Sequence, residues 1–78
     1  MPTILRTGPH RFFVYSADRD EPPHVHVERE DSTAKFWLEP VRLEYSRGFG
    51  RPEIVRIERL VSQNAATLLR AWHEYFGN

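Results

Sequence analysis

The segment Glu21-Pro22-Pro23-His24-Val25-His26-Val27-Glu28 constrains this chain more than any other. Pro22 and Pro23 carry no amide proton and have a fixed backbone angle, so they cannot continue a sheet ladder and give the residues after them a stiff start. His24 to Glu28 reads as a strand. Successive side chains of a strand point to opposite faces, so Val25 and Val27 make a core row while His24, His26 and Glu28 make the other. The chain must therefore supply a strand that buries valines on one side and presents two imidazoles on the other.

The neighbours arrange themselves around that strand. Pro2 to Arg6 is short and β-prone, and Thr7-Gly8-Pro9 signals a turn, which predicts an edge strand feeding a hairpin. In His10 to Tyr15, Phe12 and Val14 face one way and Arg11, Phe13 and Tyr15 the other, as expected of a central strand. Ser16 to Glu21 reads as a polar loop. Thr33 to Glu39 alternates cleanly, with Ala34, Phe36 and Leu38 on one side and Lys35, Trp37 and Glu39 on the other. A turn at Asp31-Ser32, or over the four residues 30–33, pairs Val27 with Phe36, Val25 with Leu38 and Glu28 with Lys35. That register sets His26 beside Trp37 and His24 beside Glu39.

After Pro40 the apolar row changes parity to Val41, Leu43 and Tyr45, which calls for a bulge or bend at Pro40. Pro52 at a first helical position, with Glu53 behind it, starts a helix. Ile54, Ile57, Val61, Ala65, Leu68, Trp72 and Phe76 then recur at helical spacing up to a stop at Gly77. A continuous helix of that length is long beside so small a sheet, so a bend is expected near Gln63-Asn64. The fold class is α+β: a curved antiparallel sheet of about four to five strands packed on one long, bent C-terminal helix. With 78 residues the expectation is a single domain, residues 1–78.

Eleven basic and eleven acidic residues cancel, so no whole-molecule field draws in nucleic acid or an anionic membrane, and any such binding needs a local patch. The chain has no cysteine, which removes disulfides and thiolate zinc sites. No segment approaches the roughly 18 apolar residues of a membrane span, and the expected location is cytoplasmic.

Pro2-Thr3-Ile4-Leu5-Arg6, Arg11-Phe12-Phe13, Glu21 through Glu28, Ala34-Lys35-Phe36-Trp37-Leu38-Glu39-Pro40 and the ending Trp72-His73-Glu74-Tyr75-Phe76 resemble the small bacterial family called domain of unknown function 4160. The resemblance covers nearly the whole chain, and Pro-Pro-His-Val-His-Val followed by Phe-Trp-Leu-Glu-Pro is its most specific part. It implies no assigned activity and no catalytic residues. It does imply a protein partner encoded by an adjacent gene, in a toxin–antitoxin-like pair.

The sheet face opposite the helix is expected to gather Arg11, Phe13, Tyr15, His24, His26, Glu28, Lys35, Trp37 and Glu39. Rings mixed with bases can stack single-stranded RNA and hold its phosphates through Arg11, Phe13, Tyr15, Lys35 and Trp37. The plainer reading is that a second protein, an identical copy included, covers those rings. The leading expectation is accordingly a small interaction module that docks a protein partner, with nucleic acid as a further ligand.

Two alternatives use the histidines. In the first, His24 and His26, helped by Arg11, Lys35 and Glu39, cleave RNA without metal by acid–base chemistry, with Glu39 orienting His24, Arg11 or Lys35 stabilising the phosphate and no cofactor needed. In the second, His24 and His26 hold zinc or nickel, with Glu39 as third ligand and His10 as candidate fourth. Against both stands the ordinary histidine that only hydrogen-bonds a carboxylate.

Overall fold

A computed structural model describes residues 2–77. Five antiparallel strands form one open sheet in sequence order: β1 (Thr3–Thr7), β2 (His10–Phe13), β3 (His24–Arg29), β4 (Ser32–Leu38) and β5 (Val41–Arg47). Two helices, α1 (Arg51–Gln63) and α2 (Ala65–Phe76), come after β5 and pack on the sheet. Phe12, Val25, Val27, Ala34, Phe36 and Leu38 from the strands meet Ile57, Val61 and Leu68 from the helices in one buried core. These are the rows that strand and helix periodicities select, so the core face follows from the pattern of apolar residues.

The expected long helix is two helices. The break falls at Asn64, whose backbone leaves the helical region (φ −109°, ψ 14°) while its side-chain amide donates to the Leu60 carbonyl at 2.8 Å. Pro52 sits in the first turn of α1, and Gly77 ends α2 in the left-handed conformation at φ 74°.

The β3–β4 register differs from the expected one by two residues: His26 lies opposite Lys35 rather than Trp37, and Val27 opposite Ala34. The turn is Glu30-Asp31, with Glu30 at φ 55°, so Ser32 stays in the strand opposite Arg29. There Ser32 lies under Gly48, where a Cβ would come within 2.6 Å of its Oγ, so the close approach requires glycine. Because the slip is an even number of residues, every side chain keeps its face.

At Pro40 the chain makes a tight turn, with Leu38 opposite Val41, and β5 runs back along β4. A bulge between the Phe36–Leu43 and Lys35–Tyr45 pairs then turns Tyr45 out of the apolar row, and it is exposed. The expected parity change holds up to Leu43; Tyr45 belongs to the other face.

The polar loop contains structure. Ser16–Asp20 is a 3-10 segment, and it buries Asp18. The Asp18 N–H donates to the Tyr15 carbonyl at 3.0 Å, and Asp18 Oδ2 accepts the Tyr15 N–H at 2.8 Å, which closes the turn.

Candidate metal centre

His24 and His26 project from β3 on the face away from the valines, as alternation requires, but that face is not open. His24 has no exposed surface, His26 is 7 % exposed and Phe13 is 2 % exposed. His24 lies among His26, Trp37 and Trp72, at ring-centroid distances of 5.1, 5.5 and 5.0 Å. His26 stacks on Phe13 at 5.4 Å and meets the edge of Tyr15 at 4.7 Å.

Asp18 is the residue that draws the histidines together. Its Oδ2 lies 3.0 Å from Nε2 of His24 and 3.0 Å from Nε2 of His26. The His26 contact is a hydrogen bond; the His24 contact is not, and His24 Nε2 is a buried nitrogen with no hydrogen-bond partner among the described residues. The other nitrogen of that ring does have a partner. Nδ1 sits 2.9 Å from the Pro22 carbonyl oxygen, which can only accept, so Nδ1 carries the proton. In the neutral ring Nε2 then presents a lone pair to a carboxylate oxygen. The proline pair serves this geometry: Pro23 gives its carbonyl to the Leu38 N–H at 3.1 Å, and Pro22 gives its own to the imidazole.

One ring nitrogen from each histidine and one carboxylate oxygen of Asp18 lie within 4.8 Å of one another. Metal–nitrogen and metal–oxygen bonds of about 2.0–2.2 Å place neighbouring ligand atoms roughly 3–3.5 Å apart, and 3.0 Å separates the atoms on both sides of Asp18. Two imidazoles and a carboxylate suit a first-row divalent ion, and an imidazole N–H tied to a backbone carbonyl is the usual outer support of such a ligand. Burial lowers the His26 pKa and outweighs the pull of Asp18, favouring the neutral ring that a metal needs. For Asp18, burial works against ionisation, yet the Tyr15 N–H and the two imidazoles prevail and hold its carboxyl below the usual range.

The expected third and fourth ligands are elsewhere. Glu39 is exposed in the turn before Pro40, and Trp37 rather than Glu39 lies opposite His24. His10 bonds Glu53 at 2.9 Å and has Phe49 near its ring. Asp18 does not stand out in the sequence because it lies in a segment with no strand or helix periodicity; the available signal is an acid three residues beyond Tyr15, at the N3 position of a capping turn.

The remaining residues of the expected binding face are engaged with one another. Arg11 donates to Glu28 at 2.6 Å and to Thr3 at 2.7 Å, and lies over the Phe13 ring. Lys35 donates to Glu21 at 2.7 Å, a contact that holds the Glu21 carboxyl below its usual range, and stands over Trp37. The Trp37 indole N–H donates to Glu44 at 2.8 Å. Only Tyr15, 43 % exposed, remains an open ring among those named. No helix among the described residues is long and apolar enough to cross a membrane.

No curated protein and no solved structure matches this chain. A family match does exist, and it spans Asp18, the histidine strand, α1 and most of α2. Over residues 10–73 of its 78 residues the chain matches the domain of unknown function 4160 (DUF4160), and it belongs to that family.

Proposed function

We propose that the protein is a small metal-binding module in which Asp18, His24 and His26 hold one divalent transition-metal ion of the zinc or nickel kind. The observation that carries this reading is the His24 Nε2 atom, buried without a hydrogen-bond partner and 3.0 Å from a carboxylate oxygen. A cation between the two atoms satisfies both, and burying the pair without one is costly. The ion would fasten the Ser16–Asp20 segment across the sheet in a chain that has no cysteine with which to staple it. Three protein ligands leave at least one coordination position for water or for a donor group of a bound partner.

Burial speaks against metal-independent RNA cleavage, since His24 exposes no atom to a substrate. A place in a toxin–antitoxin-like pair rests on the family resemblance alone, and such a partner would meet a face already shaped by the ion.

The test is metal analysis of the purified chain with thermal unfolding before and after chelation. The reading expects about one bound ion per chain. At free zinc about a hundred times Kd, binding contributes about 2.7 kcal/mol, which raises Tm by roughly 10–20 °C in a chain of this size. His24→Ala with His26→Ala should abolish the rise. A chelated protein whose Tm ignores zinc, nickel and cobalt would overturn the reading.

A further inference from the structure

A second site lies at the other end of the sheet, where the Gly8-Pro9 turn meets α1. A cavity of about 630 Å³ opens there, within the size range of small-molecule pockets. Its walls are in part apolar, formed by exposed Pro9 and half-buried Leu60, and Gln63 lines it as well.

Its charge is unbalanced, in a chain whose total charge is zero. Arg29, Arg56 and Arg59 line it against a single carboxylate, Glu53. That carboxylate is already satisfied: Arg29 binds it through two nitrogens at 2.6 and 2.7 Å, and His10 meets it at 2.9 Å. Arg29 has its third contact with Glu30 at 2.8 Å. Arg56 and Arg59 are exposed and, among the described residues, have no hydrogen bond or ion pair. Three residues apart on α1, they share one face of the helix. Two planar guanidinium forks lining the same cavity as apolar Pro9 and Leu60 suit a phosphate attached to a flat ring.

We infer that this cleft binds a small phosphorylated ligand bearing a ring, of the nucleoside monophosphate class. Arg56 and Arg59 take the phosphate. Pro9 and Leu60 take the ring, and the Gln63 amide, which both donates and accepts, meets the polar edge of the base. The fixed Arg29–Glu53 pair forms a rigid wall rather than a competing partner. The site shares no residue with the Asp18, His24 and His26 cluster, so each stands or falls alone.

The experiment is calorimetric titration of the full chain at low salt with adenosine monophosphate, adenosine and inorganic phosphate, with amide NMR shifts to locate binding. Saturable binding of the monophosphate is expected, with adenosine and phosphate each about tenfold weaker or more. Arg56→Ala with Arg59→Ala should cost about tenfold or more while leaving the dispersed NMR spectrum intact, because neither side chain makes an internal bond among the described residues. Shifts should centre on Gly8, Leu60 and Gln63. Four results would each overturn the inference: no binding at millimolar monophosphate, equal binding of inorganic phosphate, unchanged affinity in the double variant, or shifts centred on His24 and His26.

Discussion

Nε2 of His24 lies 3.0 Å from Oδ2 of Asp18, yet no hydrogen bond joins them. The 3-10 turn at Tyr15 fixes the carboxylate and the Pro22 carbonyl fixes the ring, so the two atoms are held face to face by separate parts of the chain. Such an arrangement costs stability, and the proposed cation between the two atoms would relieve it.

Asp18→Asn should separate the metal from the fold. The amide oxygen can still accept from Tyr15 and His26, so metal-free stability should fall by no more than about 1–3 kcal/mol, the range for a weakened charged hydrogen bond. Zinc affinity should fall further than the about 10–100-fold typical of losing an outer-shell partner. Urea unfolding with and without zinc reads both quantities.

Tryptophan emission should report the ion. Trp72 and Trp37 are 5.0 and 5.5 Å from the His24 ring. Zinc titration should change the emission and saturate at about one equivalent, the stoichiometry of a single high-affinity site. Trp72→Phe should remove part of the signal and His24→Ala all of it. An emission change that survives His24→Ala would locate the ion elsewhere.

Acid should weaken the molecule through Glu53. Its hydrogen bonds to Arg29, and then to His10, lower its pKa from 4.5 to about 2. A carboxyl whose folded pKa is depressed contributes stability fully above its unfolded pKa, and loses it as pH falls through the folded one. Stability should therefore decline between pH 4.5 and about 2, in the window set by those two values. Glu53→Gln should be less stable than the parent at pH 7 and should flatten that part of the decline. Denaturant unfolding at pH 7, 4 and 3 checks the sign.

The helix-facing side of the sheet tests the fold. Phe36 on β4 and Leu68 on α2 are fully buried in one cluster. Phe36→Ala should cost about 3–5 kcal/mol and Leu68→Ala about 2–5 kcal/mol. Thermal or urea unfolding would show these losses, whereas exposed Val55 on α1 should tolerate alanine within about 0.5 kcal/mol.

Much of this is legible in the chain itself. The alternation of Val25, Val27, Phe36 and Leu38 and the helical spacing from Ile54 to Phe76 carry the sheet face and the core, because burial imposes those periods directly; the break near Asn64 follows from the length of that run beside a small sheet. The hairpin register is not legible to the residue: Glu30-Asp31 and Asp31-Ser32 are comparable turn signals, and the contact between Ser32 and Gly48 that distinguishes them is long-range. The histidines are evident from composition and spacing. Their partner is not, since Asp18 reaches them from a non-periodic segment, and the register that points to Glu39 is offset. The Glu53–Arg29–His10 network joins three elements distant in sequence, and no local pattern signals it.

The most direct measurement of the central claim is a crystal structure of the chain grown with zinc, with diffraction recorded on both sides of the zinc absorption edge. The account predicts one strong anomalous peak bonded to Nε2 of His24, Nε2 of His26 and a carboxylate oxygen of Asp18, at about 2.0–2.2 Å from each. It also predicts that His24 Nδ1 remains bonded to the Pro22 carbonyl. Zinc found only at surface groups such as His73, with the Asp18–His24–His26 cluster lacking a peak, would contradict it.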